Sequence, residues 1–236
     1  MATAAERPIV YENGYPSSDG KPMAETDWHR NLMADLIQAL KLWYAKNPRV
    51  YVSGNVLLFY EEGNRRKYKS PDVFVVQGIA NYDRPNYLLW QEGKGPDIVI
   101  EITSSSTKRE DVEEKFQFYR DILRVKEYFL FDPLGDYLDP PMQGYRLRNG
   151  KYQRIRLVDG RLPSQVLRLH LERCDKEMRL YDPLSHRRLP TFWEMSLAAK
   201  ERSRQEAEAS RLLEAETERL RRELAELHRR TPPPSP

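Results

Sequence analysis

Two short apolar runs, each opened by a Pro-Asp dipeptide, constrain this chain more than anything else in it. Asp72–Gln77 reads DVFVVQ after Pro71, and Asp97–Thr103 reads DIVIEIT after Pro96. Short, apolar and partly β-branched, both read as strands. A proline at the head sets where each strand starts and removes one ladder donor there. A third strand-like run, Val50–Tyr60, precedes them and carries Ser53-Gly54-Asn55 in its middle. A fourth, Glu127–Phe131 (EYFLF), is stopped by Asp132-Pro133.

Helical spacing brackets these runs. Leu32, Leu36, Leu40 and then Trp43 and Tyr44 mark an amphipathic helix over about Thr26–Ala45, ended by Asn47-Pro48. A second helix is expected from about Lys108 to Leu123, with Ser104–Thr107 supplying cap residues. The order helix, strands, helix, strand predicts an α/β (α+β) domain with a mixed sheet flanked by helices. Residues 145–182 read as further strands punctuated by Asn149-Gly150 and Asp159-Gly160, both hairpin signals, and are expected to extend the same sheet antiparallel.

The last segment is a different material. From Phe192 to Arg230 there is neither Gly nor Pro, and residues 194–230 carry nine basic and nine acidic side chains. Leu213, Leu220 and Leu227 lie one heptad apart with Leu224 on the adjacent seam, but Ser210 and Thr217 interrupt that seam upstream. An apolar heptad of about two repeats fits a solvated single helix and a weak coiled coil equally well. The organisation expected is therefore an irregular lead-in over 1–24, a domain over 25–190, a charged helix over 191–230 and a Pro-rich disordered end over 231–236.

Composition excludes several function classes. The 236 residues are 39% hydrophobic and 11% aromatic, enough for a packed core. The lone cysteine, Cys174, excludes an intrachain disulfide and a Cys-only zinc site. No run approaches the ~20 apolar residues of a membrane span, and MATAAERPIV lacks the apolar core of a signal peptide, so a soluble cytoplasmic protein is expected. A net charge of +3 is too small to argue for nucleic acid by bulk electrostatics. Any such partner has to be argued from a site.

Acids inside apolar strands are the place to look, because an ionised carboxylate there is costly without a partner. Glu101 interrupts IVIEIT between Ile100 and Ile102. A salt-bridged or edge-exposed glutamate would also fit that pattern. Asp72 and Asp97 open their strands and could be turn or strand-cap aspartates. Asp97 and Glu101 share a face but stand roughly 13 Å apart at ~3.3 Å per residue, too far to share a metal. Asp72, from a different strand, can lie beside Glu101 if the strands pair, so the expected metal pair is Asp72 with Glu101. Asp111, Lys115 and Tyr119 form an i, i+4, i+8 stripe on the second helix. That stripe is either a surface ion pair beside a tyrosine or a positive charge aimed at the end of the Glu101 strand. Two carboxylates holding Mg²⁺ with a lysine near the attacked phosphate are the parts phosphodiester cleavage needs. Arg65, Arg66, Lys67 and Lys69 before Asp72, with Lys108 and Arg109 opening the helix, could track phosphate or form solvated loops.

Taken together in order, SPDVFVV, GPDIVIEITSSST, KREDVEEKFQFYRDI and KEYFLFDP resemble the Uma2 (DUF820) family, restriction-endonuclease-like proteins of the PD-(D/E)XK superfamily. AETDWHRNL upstream, DGRLPSQVLRLHL downstream and the charged C-terminal helix resemble it too, so the likeness spans about residues 10–230. The resemblance implies a restriction-endonuclease-like fold and a Mg²⁺- or Mn²⁺-dependent endonuclease acting on DNA. It implies Asp72 as first metal carboxylate, Glu101 as second and Lys115 as catalytic lysine. The superfamily's usual lysine position, two residues after the second acid, is Thr103 here, so that motif is broken and the role passes to the helix. Asp97, Asp111 and Tyr119 match supporting positions, and Glu25 and His29 match first-helix positions. The alternative is a non-catalytic interaction protein that keeps the fold and works through its helical tail, which could also form a homodimer.

Overall fold

The computed structural model describes residues 11–18, 26–103 and 110–230. The described chain opens with strands β1 (Tyr11–Glu12) and β2 (Tyr15–Pro16) and helix α1 (Asp27–Trp43). Strands β3 (Val50–Ser53), β4 (Leu58–Phe59), β5 (Tyr68–Lys69), β6 (Val73–Gln77) and β7 (Tyr87–Leu88) follow, then the short helix α2 (Leu89–Glu92) and β8 (Ile98–Ile102). A π-helical turn, Glu110–Lys115, runs directly into α3 (Phe116–Asp121) and then β9 (Glu127–Phe131). Strands β10 (Met142–Arg148), β11 (Lys151–Arg154), β12 (Arg161–Ser164), β13 (Leu169–Cys174), β14 (Glu177–Asp182) and β15 (Arg187–Arg188) precede helix α4 (Phe192–Arg230).

A six-stranded mixed sheet in the order β11-β10-β9-β8-β6-β3 carries the fold. Only β8 and β9 run parallel in it, and a parallel neighbour needs a crossover, here the segment containing the π turn and α3. Strand alternation then sorts the side chains. Val73, Val75, Ile98, Ile100, Phe129 and Phe131 face α1 and its Leu32, Leu36 and Leu40. Phe74, Val76, Val99, Tyr128 and Leu130 face the other way, toward Tyr119 of α3. Glu101 alternates with Ile100 and Ile102 and so belongs to the α3 side. Helix α1 starts where the sequence suggests, with Thr26 Oγ1 accepting from the His29 amide at 3.3 Å.

Two expectations about the strands need correction. The antiparallel extension of the main sheet stops at β11; strands β12 to β15 form a separate four-stranded sheet. Its Leu162, Leu169, Leu171, Met178 and Leu180 pack into the α1-side core, so the same alternating pattern serves a second layer. The run Val50–Tyr60 is likewise two strands, with β4 in a small sheet beside β5 and β7. The break falls at Gly54, where a Cβ would sit 1.9 Å from the Asp72 carbonyl oxygen. The Asn55 amide donates to the Pro71 carbonyl at 2.7 Å. Only glycine allows that approach, which fixes the backbone at Asp72.

The chain divides into two compact units, Met1–Thr191 and Phe192–Pro236. The second is α4, 39 residues long, with Leu213, Leu220, Leu224 and Leu227 all exposed. Ion pairs one turn apart, Arg222–Glu218, Arg219–Glu223 and Arg230–Glu226, lace its surface. None of the described helices is long and apolar enough to cross a membrane.

Candidate active site

Strands β6 and β8 pair antiparallel with Val73 opposite Ile100, Phe74 opposite Val99 and Val75 opposite Ile98. Continued by one step, that register sets Asp72 across from Glu101 on the α3 face. Their carboxylates are held differently. Asp72 Oδ2 accepts from the Ile102 amide at 2.7 Å, so the acid closes the ladder where β6 begins. Its Oδ1 lies 3.1 Å from His29 Nε2 of α1, an electrostatic contact rather than an aligned hydrogen bond. Glu101 is fully buried. Tyr119 donates to its Oε1 at 2.6 Å and Lys115 to its Oε2 at 2.9 Å.

The π turn and α3 deliver those two donors. Lys115 ends the turn and Tyr119 lies four residues on, so both reach the same strand residue. The lysine side chain is 11% exposed and the glutamate 0%, an ion pair with one end toward solvent. Burial holds the Tyr119 phenol well above the ordinary tyrosine range, and the Glu101 and Asp72 charges push the same way. Tyr119 therefore stays protonated and acts only as a donor.

A carboxylate oxygen has two lone pairs, so one that accepts a single hydrogen bond can also meet a cation. No cluster of three or more His, Cys, Asp or Glu converges on one point among the described residues. A Mg²⁺ site does not need one, since that ion is commonly held by one or two carboxylates, with water and substrate phosphates completing its shell. Two facing hard-oxygen donors at a partly open strand end thus fit such an ion.

The Uma2 family model, described as "Putative restriction endonuclease", matches residues 15–173, about two thirds of the chain. The chain belongs to the Uma2 family. Among solved structures it is similar to "a putative nuclease belonging to DUF820" from Anabaena variabilis ATCC 29413. The identity is 16% and the TM-score 0.46, over 66% of this chain and 85% of that one. No curated protein matches it.

In this Uma2 chain, Asp72, Glu101, Lys115, Tyr119 and His29 come together. Asp97 does not. It lies at the opposite end of the same strand pair, where Oδ2 accepts from the Gln77 amide at 2.7 Å. Lys126 Nζ is 2.7 Å and Lys94 Nζ 2.9 Å from the same carboxylate. Burial works to raise the Asp97 pKa, but the bonds from Lys126, the Gln77 amide and Lys94 outweigh it and hold the carboxyl below its ordinary value. Asp97 is a strand-end bracket. The Asp111 side chain, Glu25, Lys108 and Arg109 lie outside the described residues, as do 1–10, most of the remaining lead-in and 231–236. Of the basic run, Arg65, Arg66 and Lys67 are exposed in the β4–β5 turn and Lys69 is half-buried in β5.

Thr103, at the superfamily's lysine position, is buried, and Tyr137 donates to its Oγ1. A lysine there would have to displace that tyrosine. Sequence reasoning missed Lys94 and Lys126 as the partners of Asp97. The repeated Pro-Asp was the available signal, since two strands opened alike and paired antiparallel bracket each other's ends.

Proposed function

We propose that this Uma2 chain is a metal-dependent endonuclease that hydrolyses phosphodiester bonds in DNA, with the domain over residues 25–190 carrying the chemistry. Asp72 and Glu101 would hold Mg²⁺ or Mn²⁺. The observation that carries this reading is a fully buried carboxylate, Glu101, facing Asp72 and gripped by a lysine and a protonated tyrosine. A buried acid serving structure alone would be cheaper to replace with an apolar residue.

The bound ion would lower the pKa of an attacking water and offset charge building on phosphate. The chain's own residues supply the rest. The Ile102 amide and His29 fix the Asp72 carboxylate. Tyr119 orients Glu101 from the buried side and leaves its second oxygen toward Lys115. Lys115, at the open edge, can turn from Glu101 to a phosphate oxygen or the attacking water, adding positive charge without taking a ligand place. Family membership supports a nuclease of this class.

The α4 seam supports a second element of the reading, a homodimer through Leu213, Leu220 and Leu227. In a parallel pairing with those leucines on the seam, Glu216 of one copy faces Arg221 of the other. Plasmid cleavage with Mg²⁺ or Mn²⁺ tests the catalytic reading. Wild type should nick or linearise DNA, and Glu101→Gln and Lys115→Met should each lose at least about a hundredfold in rate. A folded wild type that binds the metal but never cleaves would favour the interaction-protein alternative.

A further inference from the structure

At the other end of the main sheet lies an open cavity of about 940 Å³. It is formed where the end of α1, the start of β3, the end of β6 and the start of β9 meet the β12–β13 turn. Gln77 on its rim is five steps along the strand from Asp72, roughly 16 Å, so it is a separate place from the carboxylate pair.

Four cations line it: Arg49, Lys126, Arg146 and Arg168. Among the described residues the sole acid in the lining, Glu127, is already committed. It accepts from Arg146 at 2.8 Å, Ser164 Oγ at 2.5 Å, and the Gln165 and Val166 amides at 3.0 and 3.2 Å. Lys126 shares the buried Asp97 with Lys94, two positive charges on one negative. Arg49 donates to the Gly78 carbonyl at 2.6 Å, and among the described residues neither it nor Arg168 pairs with a carboxylate. Arg168 holds a backbone φ of 58°, a left-handed conformation uncommon for arginine, in the turn that presents it. Its charge also reaches Tyr44, where burial pushes the phenol up and Arg168 works against the shift.

Beside these cations stand the half-buried rings of Trp43 and Tyr44. A surplus of positive charge next to half-buried aromatic rings suits a ligand that carries phosphate at one end and a flat ring at the other. We propose that this cavity is a second binding site, selective for a nucleoside phosphate, with Arg49 and Arg168 on the phosphate and Trp43 against the base. Such a ligand can come as a free nucleotide or as one unit of a nucleic-acid strand.

Calorimetric titration of the full-length protein with adenosine monophosphate, inorganic phosphate and adenosine tests it. One AMP should bind per chain, with phosphate weaker and adenosine weaker still. Arg49→Ala/Arg168→Ala, two exposed positions, should lower AMP affinity at least about tenfold with an unchanged melting temperature. Trp43→Leu should weaken AMP but not phosphate. Asp72→Asn should leave AMP binding as it was. A short single-stranded oligonucleotide without terminal phosphate separates the sources: competition with AMP shows that a strand can occupy the site, and no competition assigns it to the free nucleotide. No AMP binding in the millimolar range, or binding that ignores both arginines, would overturn the proposal.

Discussion

Where β6 begins, the Asp72 carboxylate accepts the amide of Ile102 at the end of β8; where β8 begins, the Asp97 carboxylate accepts the amide of Gln77 at the end of β6. The two ends of one strand pair therefore share a bracket, a Pro-Asp head closing the neighbour's tail. They differ in what surrounds it. Asp97 is one carboxylate against two lysines, whereas Asp72 faces a second acid, Glu101, with Lys115 the only lysine bonded to that pair among the described residues. Among these groups the Asp97 end sets two cations on one acid and the Asp72 end one cation on two acids. A bracket whose charge is over-compensated by cations serves the fold and can attract anions. One whose charge is doubled and only half compensated can take a cation. The shared motif is structural, and the neighbours decide the chemistry.

The largest expected effect comes from removing the lysine bonded to Glu101. Lys115→Met takes the bonded lysine away from the fully buried Glu101 carboxylate, and should cost about 3–5 kcal/mol in urea unfolding. Adding Glu101→Gln to it should return most of that loss, because the burden is the buried charge and not the missing contact. If the double variant is as unstable as the single, the ion pair is not what the fold depends on there.

Tyr119→Phe removes a donor to a charged acceptor and should cost about 1.5–3 kcal/mol. It should also weaken metal binding, since Glu101 loses its orienting bond, while a stability loss with full affinity would make Tyr119 purely structural.

At the other end, Asp97→Ala strands the Gln77 amide, and should cost about 1–3 kcal/mol. Lys94 and Lys126, exposed by 38% and 61%, can swing to water, which keeps the loss below that of Lys115→Met. The Asp97 pKa lies below its ordinary 3.8 in the folded state, so the native protein takes up this proton less readily than the unfolded chain. Its contribution is complete above about pH 4 and disappears as pH falls through the lower folded value. Acid unfolding curves of wild type and Asp97→Ala should therefore converge at low pH; curves that stay parallel would deny the carboxylate its bracket role.

The smallest effect should come from the tail. A chain ending at Thr191 should keep both ends intact, with stability within about 0.5 kcal/mol, and lose only self-association in sedimentation. Leu213, Leu220 and Leu227 changed to Lys should do the same. Unfolding on truncation would place part of the core's support in α4.

How far the sequence reached follows the same division. The strands β6, β8 and β9, the first helix and the pairing of Asp72 with Glu101 were legible because Pro-Asp heads and β-branched runs are local signals with fixed periodicity. The π turn was not, since Glu110–Lys115 carries the same i, i+4 spacing as an α-helix and only the packing of Lys115 and Tyr119 on Glu101 sets them apart. The second sheet was also hidden. Alternation in β12 to β14 says that one face is buried, but not against which layer. Strand spacing alone set Asp97 apart from Asp72, but its two lysines were hidden because they come from positions 94 and 126, one of them a whole crossover away.

Calorimetric titration of Mn²⁺ into Asp72→Asn and Asp97→Asn, beside wild type, tests the central claim most directly. Asp72→Asn should abolish binding in a protein that still folds, and Asp97→Asn should bind as wild type does while melting at a lower temperature. Equal metal affinity in the two variants would contradict the assignment of the cation to the Asp72 end.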